Sequence, residues 1–135
     1  MFTERELAYL KAQRLTRIAT VDRQMQPDVA TVAVEFDGEY FYVSGRTMTH
    51  TLKYKNVLRG NPKVALVFDD HDPDTRRPRG LKLHGSAEII MREGRFGYKE
   101  YFRITPQRSW SWGLEQQTFV NEQPVFRRGS RTPSD

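Results

Sequence analysis

Two strands, a tight turn and a helix follow one another in residues 29–58, VATVAVEFDGEYFYVSGRTMTHTLKYKNVL. Val29 to Phe36 is rich in valine, and Glu39 to Ser44 alternates tyrosine with phenylalanine and valine, so both stretches predict β-strands. Asp37-Gly38 between them predicts a hairpin with a type I′ turn, whose two central residues both take positive φ. A helical pattern follows and ends before Gly60-Asn61-Pro62. A helix therefore interrupts a series of antiparallel strands.

The flanking sequence predicts one more helix and three or four further strands. Residues 2–13 form an N-terminal helix that begins with a capping box of Thr3 and Glu6. Further strands are predicted at residues 15–21, 63–68, 81–91 and 98–112, the last one bent near Pro106. Most connections are too short for parallel crossovers, and closure into a barrel leaves few open edges. The sequence thus predicts a mainly β fold, a small barrel of about six antiparallel strands with an N-terminal helix and a helix inserted after strand 3.

The length and composition predict a single-domain intracellular protein. A domain over residues 1–116 is followed by a polar tail, 117–135, which either wraps a neighbouring subunit or extends into solvent. The chain has no cysteine, which excludes a disulfide framework and a thiolate metal site. The N-terminus lacks the layout of a secretory signal, and no apolar run is long enough to cross a bilayer. We therefore expect a cytoplasmic protein without membrane contact.

The charge of the chain favours an anionic partner. The formal net charge is +5 and the pI is about 9.7. Nucleic acid, a phosphorylated cofactor and a polycarboxylate would each complement this charge. Lysine and arginine are dispersed among the strands rather than massed in one block, so we expect no nucleic-acid binding.

The start of the inserted helix is the candidate anion site. A helix N-terminus presents unpaired N–H groups and partial positive charge, which attract phosphate. Arg46 precedes the predicted helix, and the hydroxyls of Thr49 and Thr51 lie in its first turns. Thr49, Lys53 and Asn56 have the spacing i, i+4, i+7, which places them along one helical face. The alternative is structural, with a threonine as the N-cap and the lysines as solvated surface charges.

The other chemical motifs are weaker. Asp70, Asp72 and Asp74 match the first ligands of a calcium loop, but Thr75 and Leu81 occupy the positions of its glycine and its bidentate glutamate. The three histidines lack metal-ligand spacing, so we predict no metal site. The chain has no nucleophile-elbow serine, no phosphate-binding loop of the nucleotide hydrolases and no Rossmann glycine motif. No catalytic residue is assigned.

An ordered set of short motifs extends from residue 15 to residue 115. They are Leu15-Thr-Arg-Ile-Ala-Thr-Val-Asp22, Gln26-Pro27, Phe36-Asp-Gly38, Gly45-Arg46, Thr51-x-Lys53-Tyr-x-Asn56-Val57, Asn61-Pro-x-Val-Ala-Leu-Val67, Arg77-Pro-Arg-Gly80 and Ser111-Trp-Gly-Leu-Glu115. With this set the sequence resembles the pyridoxamine 5'-phosphate oxidase-like split β-barrel proteins, and among them the group that uses coenzyme F420. The resemblance covers residues 3 to about 116.

The resemblance implies a split-barrel homodimer with two cofactor sites at its interface, each built from both chains. The cofactor would be the deazaflavin F420, or FMN as the alternative. Carried over by position, the site residues divide into phosphate contacts (Arg46, Thr51, Lys53 and Asn56, beside Thr49), ring contacts (Thr31 and Val32) and a residue that closes the site from the partner subunit (Trp112).

This sequence departs from the family pattern at several positions. Asp28 stands where histidine is frequent, Thr31 where proline is frequent, and Leu52 where arginine often precedes the lysine. The loss of that arginine removes a phosphate contact. The turn Arg76-Arg77-Pro78-Arg79 could compensate by meeting the polyglutamyl tail of F420.

The resemblance implies an oxidoreductase. We expect a reductase that transfers a hydride from reduced F420 to a small organic substrate. Two alternatives stay open at this level: a non-catalytic F420 carrier, and an FMN-binding protein of the same fold.

Overall fold

The computed structural model describes residues 1–131, which form two helices and nine strands. The helices are α1 (Glu4–Lys11) and α2 (Leu52–Leu58), and a single 3₁₀ turn (Met48–His50) precedes α2. The strands are β1 (Leu15–Val21), β2 (Pro27–Phe36), β3 (Phe41–Val43), β4 (Lys63–His71), β5 (Pro78–Gly94), β6 (Gly97–Trp112), β7 (Phe119–Val120), β8 (Gln123–Pro124) and β9 (Arg127–Ser130). Neither helix has the length and apolar run needed to cross a membrane.

Six strands close into an antiparallel barrel, which confirms the predicted fold. The order β3-β2-β1-β4-β5-β6 is closed by pairing of β3 with β6, where Phe41 lies opposite Ile104 and Val43 opposite Phe102. β9 adds to the outer edge of β6. The bend expected near Pro106 coincides with a break in the β5–β6 register between His84 and Gly85. Proline has no N–H to donate to a ladder, so it is tolerated at such an irregularity.

The barrel core is built by the inward positions of alternating strands. On β1 the side chains of Thr16, Ile18 and Thr20 are buried, whereas Leu15 and Arg17 are exposed. Phe41, Phe68 and other large apolar side chains fill the interior, and Leu10 of α1 packs into the same cluster. The capping box of Thr3 and Glu6 is present, as predicted.

The barrel is split beyond β3 because the chain leaves β2 there and follows β6. β2 and β3 pair only from Val34 to Phe36. At Ser44 the side-chain hydroxyl donates to the Glu100 carbonyl on β6 (2.6 Å). β2 therefore continues from Phe36 back to Pro27 without β3 beside it, and α2 contacts this part of the barrel.

Two local predictions were wrong. The helix that was expected among Thr47, Thr49 and Thr51 begins at Leu52, because Thr51 is its N-cap with extended backbone (φ −85°, ψ 153°). The turn at Asp37-Gly38 is not type I′, since positive φ occurs at Gly38 (+99°) and not at Asp37. The Asp37 carboxylate instead accepts the N–H groups of Glu39 (2.8 Å) and Tyr40 (2.7 Å). A side chain that bonds to nearby backbone can replace the primed turn geometry.

The C-terminal segment folds back on its own barrel. β9 pairs with β6 from Arg108 to Ser111, and β7 and β8 form a short hairpin before it. The predicted wrapping of a neighbour, or extension into solvent, therefore does not describe residues 119–130. Residues 132–135 of the predicted tail lie outside the described residues.

Candidate functional site

Lys53 is a buried cation on α2. Its side chain is 8% exposed, and no residue in the described part of the chain forms a hydrogen bond or an ion pair with it. Burial lowers the pKa of its ammonium group, and the charge of Asp28 at the start of β2 partly opposes this. A desolvated ammonium without a hydrogen-bond acceptor is costly. Lys53 thus has the free donors that an anionic ligand would use.

Asn56 lies one turn after Lys53, and both side chains are buried on this short helix. Its amide Nδ2 donates to the Thr20 hydroxyl of β1 (3.0 Å). Thr20 was not predicted as a site residue, although a threonine at an inward position of a strand is a signal for a polar partner. The contact orients the Asn56 amide and leaves one of its N–H groups for another acceptor.

The turn before α2 uses its hydroxyl groups differently from the prediction. Thr51 caps the helix: its hydroxyl donates to the Met48 carbonyl (2.7 Å) and accepts the Tyr54 N–H (3.3 Å). Its single proton is therefore already bonded. Thr49 is half-buried in the 3₁₀ turn, so it does not share a helical face with Lys53 and Asn56. α2 has seven residues, and the site depends on its side chains rather than on its N-terminus.

Arg46 lies exposed on the loop that leads to this turn. Lys99 of β6 holds the loop, because its ammonium group donates to the carbonyls of Gly45 (2.6 Å) and Arg46 (3.0 Å). The Arg46 side chain is directed by a fixed backbone and has no ion pair among residues 1–131.

The unpaired edge of β2 faces the split. The Val34 N–H donates toward β1, to the Arg14 carbonyl (3.0 Å). In an antiparallel strand alternate residues point their backbone groups to opposite sides, so Thr31 points its N–H and C=O away from β1. β3 has already ended at this level. Thr31 thus offers backbone hydrogen bonds along the split, and its side chain is exposed.

The predicted ring contact of the Val32 side chain is wrong, because that side chain is buried in the barrel core. Inward and outward positions alternate along β2, and Val32 occupies an inward one.

Arg79 and Trp112 lie at the other end of the barrel. The Ala87 N–H of β5 donates to the Pro62 carbonyl just after α2 (2.8 Å), whereas Arg79 is eight residues earlier on the same strand. Eight strand residues span roughly 26 Å at about 3.3 Å each. Trp112 pairs with Gly80, next to Arg79. One chain does not bring these two residues to Lys53.

Arg79 is also bound within the chain. Its guanidinium donates to both carboxylate oxygens of Asp70 (2.7 and 3.1 Å), lies 3.5 Å from Asp72, and stacks over the Tyr9 ring at 5.0 Å. These contacts hold the pKa of the Asp70 carboxyl below its usual range. The polar loop that was expected to be a solvated acidic turn therefore forms a local ion-pair network.

A cleft of about 500 Å³ runs along the opposite side of α2. Two exposed arginines on its wall, Arg23 and Arg59, were not predicted as site residues. The remaining lining consists of Asp22, Gln24, Met25, Leu52, Asn56, Gly60 and Asn61. The predicted family arginine is absent at Leu52, so these two side chains are the nearest cations on that helical face.

The residues present fit a phosphorylated ring cofactor. A buried ammonium without an acceptor suits a phosphate oxygen. The free backbone groups of Thr31 suit the polar edge of a planar ring. Lys53, Asn56 and this backbone edge, together with Arg46, make up what we call the anion cleft.

A closed barrel with a split beside β2 and a cationic slot along the split defines a cofactor-binding barrel of the flavin type. Comparison with family models identifies the family. Residues 2–118 match the model of pyridoxamine 5'-phosphate oxidase. The chain belongs to this family.

Relatives support an oxidoreductase. A 5a,11a-dehydrotetracycline/5a,11a-dehydrooxytetracycline reductase from Streptomyces rimosus is 36% identical over 123 residues, which cover 84% of each protein. Among solved structures, an F420 reductase has a TM-score of 0.59 at 20% identity, with 76% of this chain and 93% of that chain covered. An FAD-binding protein from Mesorhizobium loti has a TM-score of 0.59 at 18% identity, with 77% and 86% covered. At these identities the two structures show a shared fold.

Proposed function

We propose that this protein is an F420-binding oxidoreductase that reduces a small organic substrate. When bound, F420 supplies a hydride from its reduced deazaflavin ring. The observation that carries the proposal is the burial of Lys53 without any acceptor of its own. The reductase relative from Streptomyces and the F420 reductase with the same fold support it.

The residues of the anion cleft would divide the work of binding. The Lys53 ammonium and the Asn56 amide would hold the phosphate, and Arg46 would cover it from the loop. The backbone N–H and C=O of Thr31 would fix the ring edge. A protein that holds the ring and one acceptor in a fixed orientation accelerates hydride transfer chiefly by positioning.

The cofactor is tested by titration of the purified protein with F420 and, separately, with FMN, followed by the fluorescence of each cofactor. Saturation by F420 at a lower concentration than FMN supports the proposal. Tighter binding of FMN would replace F420 with the alternative cofactor, because both contain a ribityl-phosphate portion that Lys53 could hold.

Catalysis is tested by oxidation of reduced F420 in the presence of candidate acceptors. The relative acts on a dehydrotetracycline, so polycyclic enones belong in the panel beside simple quinones. Steady-state turnover supports a reductase. Tight binding without turnover of any acceptor would favour the non-catalytic carrier.

We also propose that the protein is a homodimer with two cofactor sites. Outward-facing small and apolar side chains form a continuous patch on neighbouring strands, namely Leu15, Ala19, Val29, Ala65 and Val67. Val29 is 69% exposed, which is unusual for a strand valine in an isolated domain. A second chain on this patch would also bring its own Trp112 to the split. The cytoplasmic location stays a prediction.

A further inference from the structure

An aromatic groove opens on the outer surface at the end of the barrel away from Lys53. Its cavity of about 360 Å³ lies in the size range of small-molecule sites. Trp112 lies flat over Gly80, where a Cβ atom would come within 2.4 Å of the indole ring. Phe126 meets Trp112 edge to face with ring centroids 6.3 Å apart. The rest of the lining is Pro78, Lys82, Thr118, Phe119 and Pro124.

The C-terminal segment builds one wall of this groove and is fixed in place. The Thr118 hydroxyl donates to the Pro78 carbonyl (2.5 Å), and β9 continues the sheet beyond β6. Arg127, next to Phe126, donates to the fully buried Glu6 carboxylate of α1 (2.6 Å). Most of this wall lies beyond residue 118, where the match to the family model ends.

The groove carries positive charge without a matching carboxylate. The Lys82 ammonium lies 5.1 Å from the centre of the Trp110 ring and forms no ion pair within residues 1–131. Arg128 lies opposite Trp110 on β9, is exposed, and likewise has no ion pair in this part of the structure. Two cations therefore border an apolar, aromatic cavity.

We propose that this groove binds a flat aromatic anion. The ring would lie between Trp112 and Phe126, where stacking and edge-to-face contacts favour planar π-systems, and the negative charge would meet Lys82. A second copy of the chain is a poorer occupant, because the buried centre of a protein interface is depleted of charged residues such as this unpaired lysine. The proposal concerns a site remote from Lys53 within one chain and does not rest on the proposed cofactor.

The probe is 2-naphthoate, with the neutral 2-naphthalenemethanol as its matched analogue. Isothermal titration of the cofactor-free, full-length protein should show saturable binding of 2-naphthoate and at least about tenfold weaker binding of the alcohol, the scale of one charge-assisted hydrogen bond. Lys82→Gln should remove this preference, whereas Phe126→Ser should weaken both probes. Equal affinity for the two probes would overturn the proposal.

Two control variants separate this site from the others. Lys63→Gln removes another exposed, unpaired lysine from the outer surface of the sheet and should leave naphthoate binding unchanged. Lys53→Met should abolish a cofactor contact and also leave it unchanged, so failure of the cofactor proposal and failure of this one give different results. If Phe126→Ser instead changes the oligomeric state and the wild type binds no naphthoate, the groove is a subunit contact and the proposal is wrong.

Discussion

At the scale of single residues, Lys53 shows a conflict between stability and binding. A buried ammonium without an acceptor destabilises the free protein, and the same ammonium is the strongest feature of the anion cleft. We expect Lys53→Met to raise the free energy of unfolding of the cofactor-free protein by roughly 1 kcal/mol, because an apolar side chain of similar length suits the site better. Chemical denaturation measures this change.

The same substitution should weaken F420 binding by about 1–3 kcal/mol, the usual value for a charge-assisted hydrogen bond. The control is Lys55→Met on the exposed side of α2, which should change neither quantity. If Lys53→Met destabilises the protein, or leaves F420 affinity unchanged, Lys53 is a structural residue and the anion cleft is wrongly assigned.

The lowered pKa of Lys53 predicts a pH dependence with a definite sign. Below its lowered pKa the buried ammonium is charged and able to bind an anion, and it loses the proton as the pH rises toward the ordinary value of 10.5. A bound anion stabilises the charged form, so binding in this window should take up protons and weaken with rising pH. Titration calorimetry in buffers of different ionisation enthalpy measures the uptake. Binding without proton uptake throughout this window would contradict it.

The stability of the free protein should change in the opposite direction. The unfolded chain holds the Lys53 proton more tightly than the folded chain, so the burial penalty decreases as the pH rises through the same window. The stability gained by Lys53→Met should therefore shrink at high pH. A difference that is constant with pH would show that burial of the charge is not its cause.

At the scale of elements, the sequence predicted the strands better than the site. β1 has the predicted bounds, because alternation of apolar and polar residues is a local signal. The start of α2 was displaced because three threonines compete as N-caps and only tertiary contacts select Thr51. The hydrogen bond from Asn56 to Thr20 joins residues 36 apart, and no local pattern contains that pairing. The family resemblance supplied Lys53 and Thr31, which spacing alone left open.

The contact between β9 and α1 is a second element-scale feature with a testable cost. Glu6 is fully buried and accepts bonds from the Ser111 hydroxyl (2.5 Å), the Thr3 N–H (3.0 Å) and the Arg127 guanidinium (2.6 Å). Removing the arginine leaves a buried carboxylate without its cation. Arg127→Met should therefore lower the free energy of unfolding by about 3 kcal/mol, measured by urea denaturation.

The neighbouring Arg128 provides the control for this prediction. It is exposed and forms no ion pair within residues 1–131, so Arg128→Met should change stability by less than about 0.5 kcal/mol. Equal effects of the two substitutions would show that the C-terminal strand is held by its backbone pairing alone.

At the scale of the whole molecule, the barrel leaves an apolar patch that a second chain should cover. Val29 and Ala19 are opposite each other on β2 and β1, and Ala19 also lies opposite Ala65 on β4, so three strands contribute to one outer surface. We expect a dimer in sedimentation velocity. Val29→Lys places a charge in the middle of this patch and should shift the protein to monomer, since a desolvated unpaired charge costs several kcal/mol.

The dimer also links the patch to the cofactor. Within one chain Trp112 lies far from Lys53, so a site that contains both residues requires two chains. Val29→Lys should therefore weaken F420 binding together with dimerisation, although Val29 itself offers the phosphate no charged group. Met91→Lys, which alters another exposed apolar side chain on the β5–β6 hairpin, should affect neither. A monomeric Val29→Lys variant that binds F420 with wild-type affinity would show that each chain holds the cofactor alone.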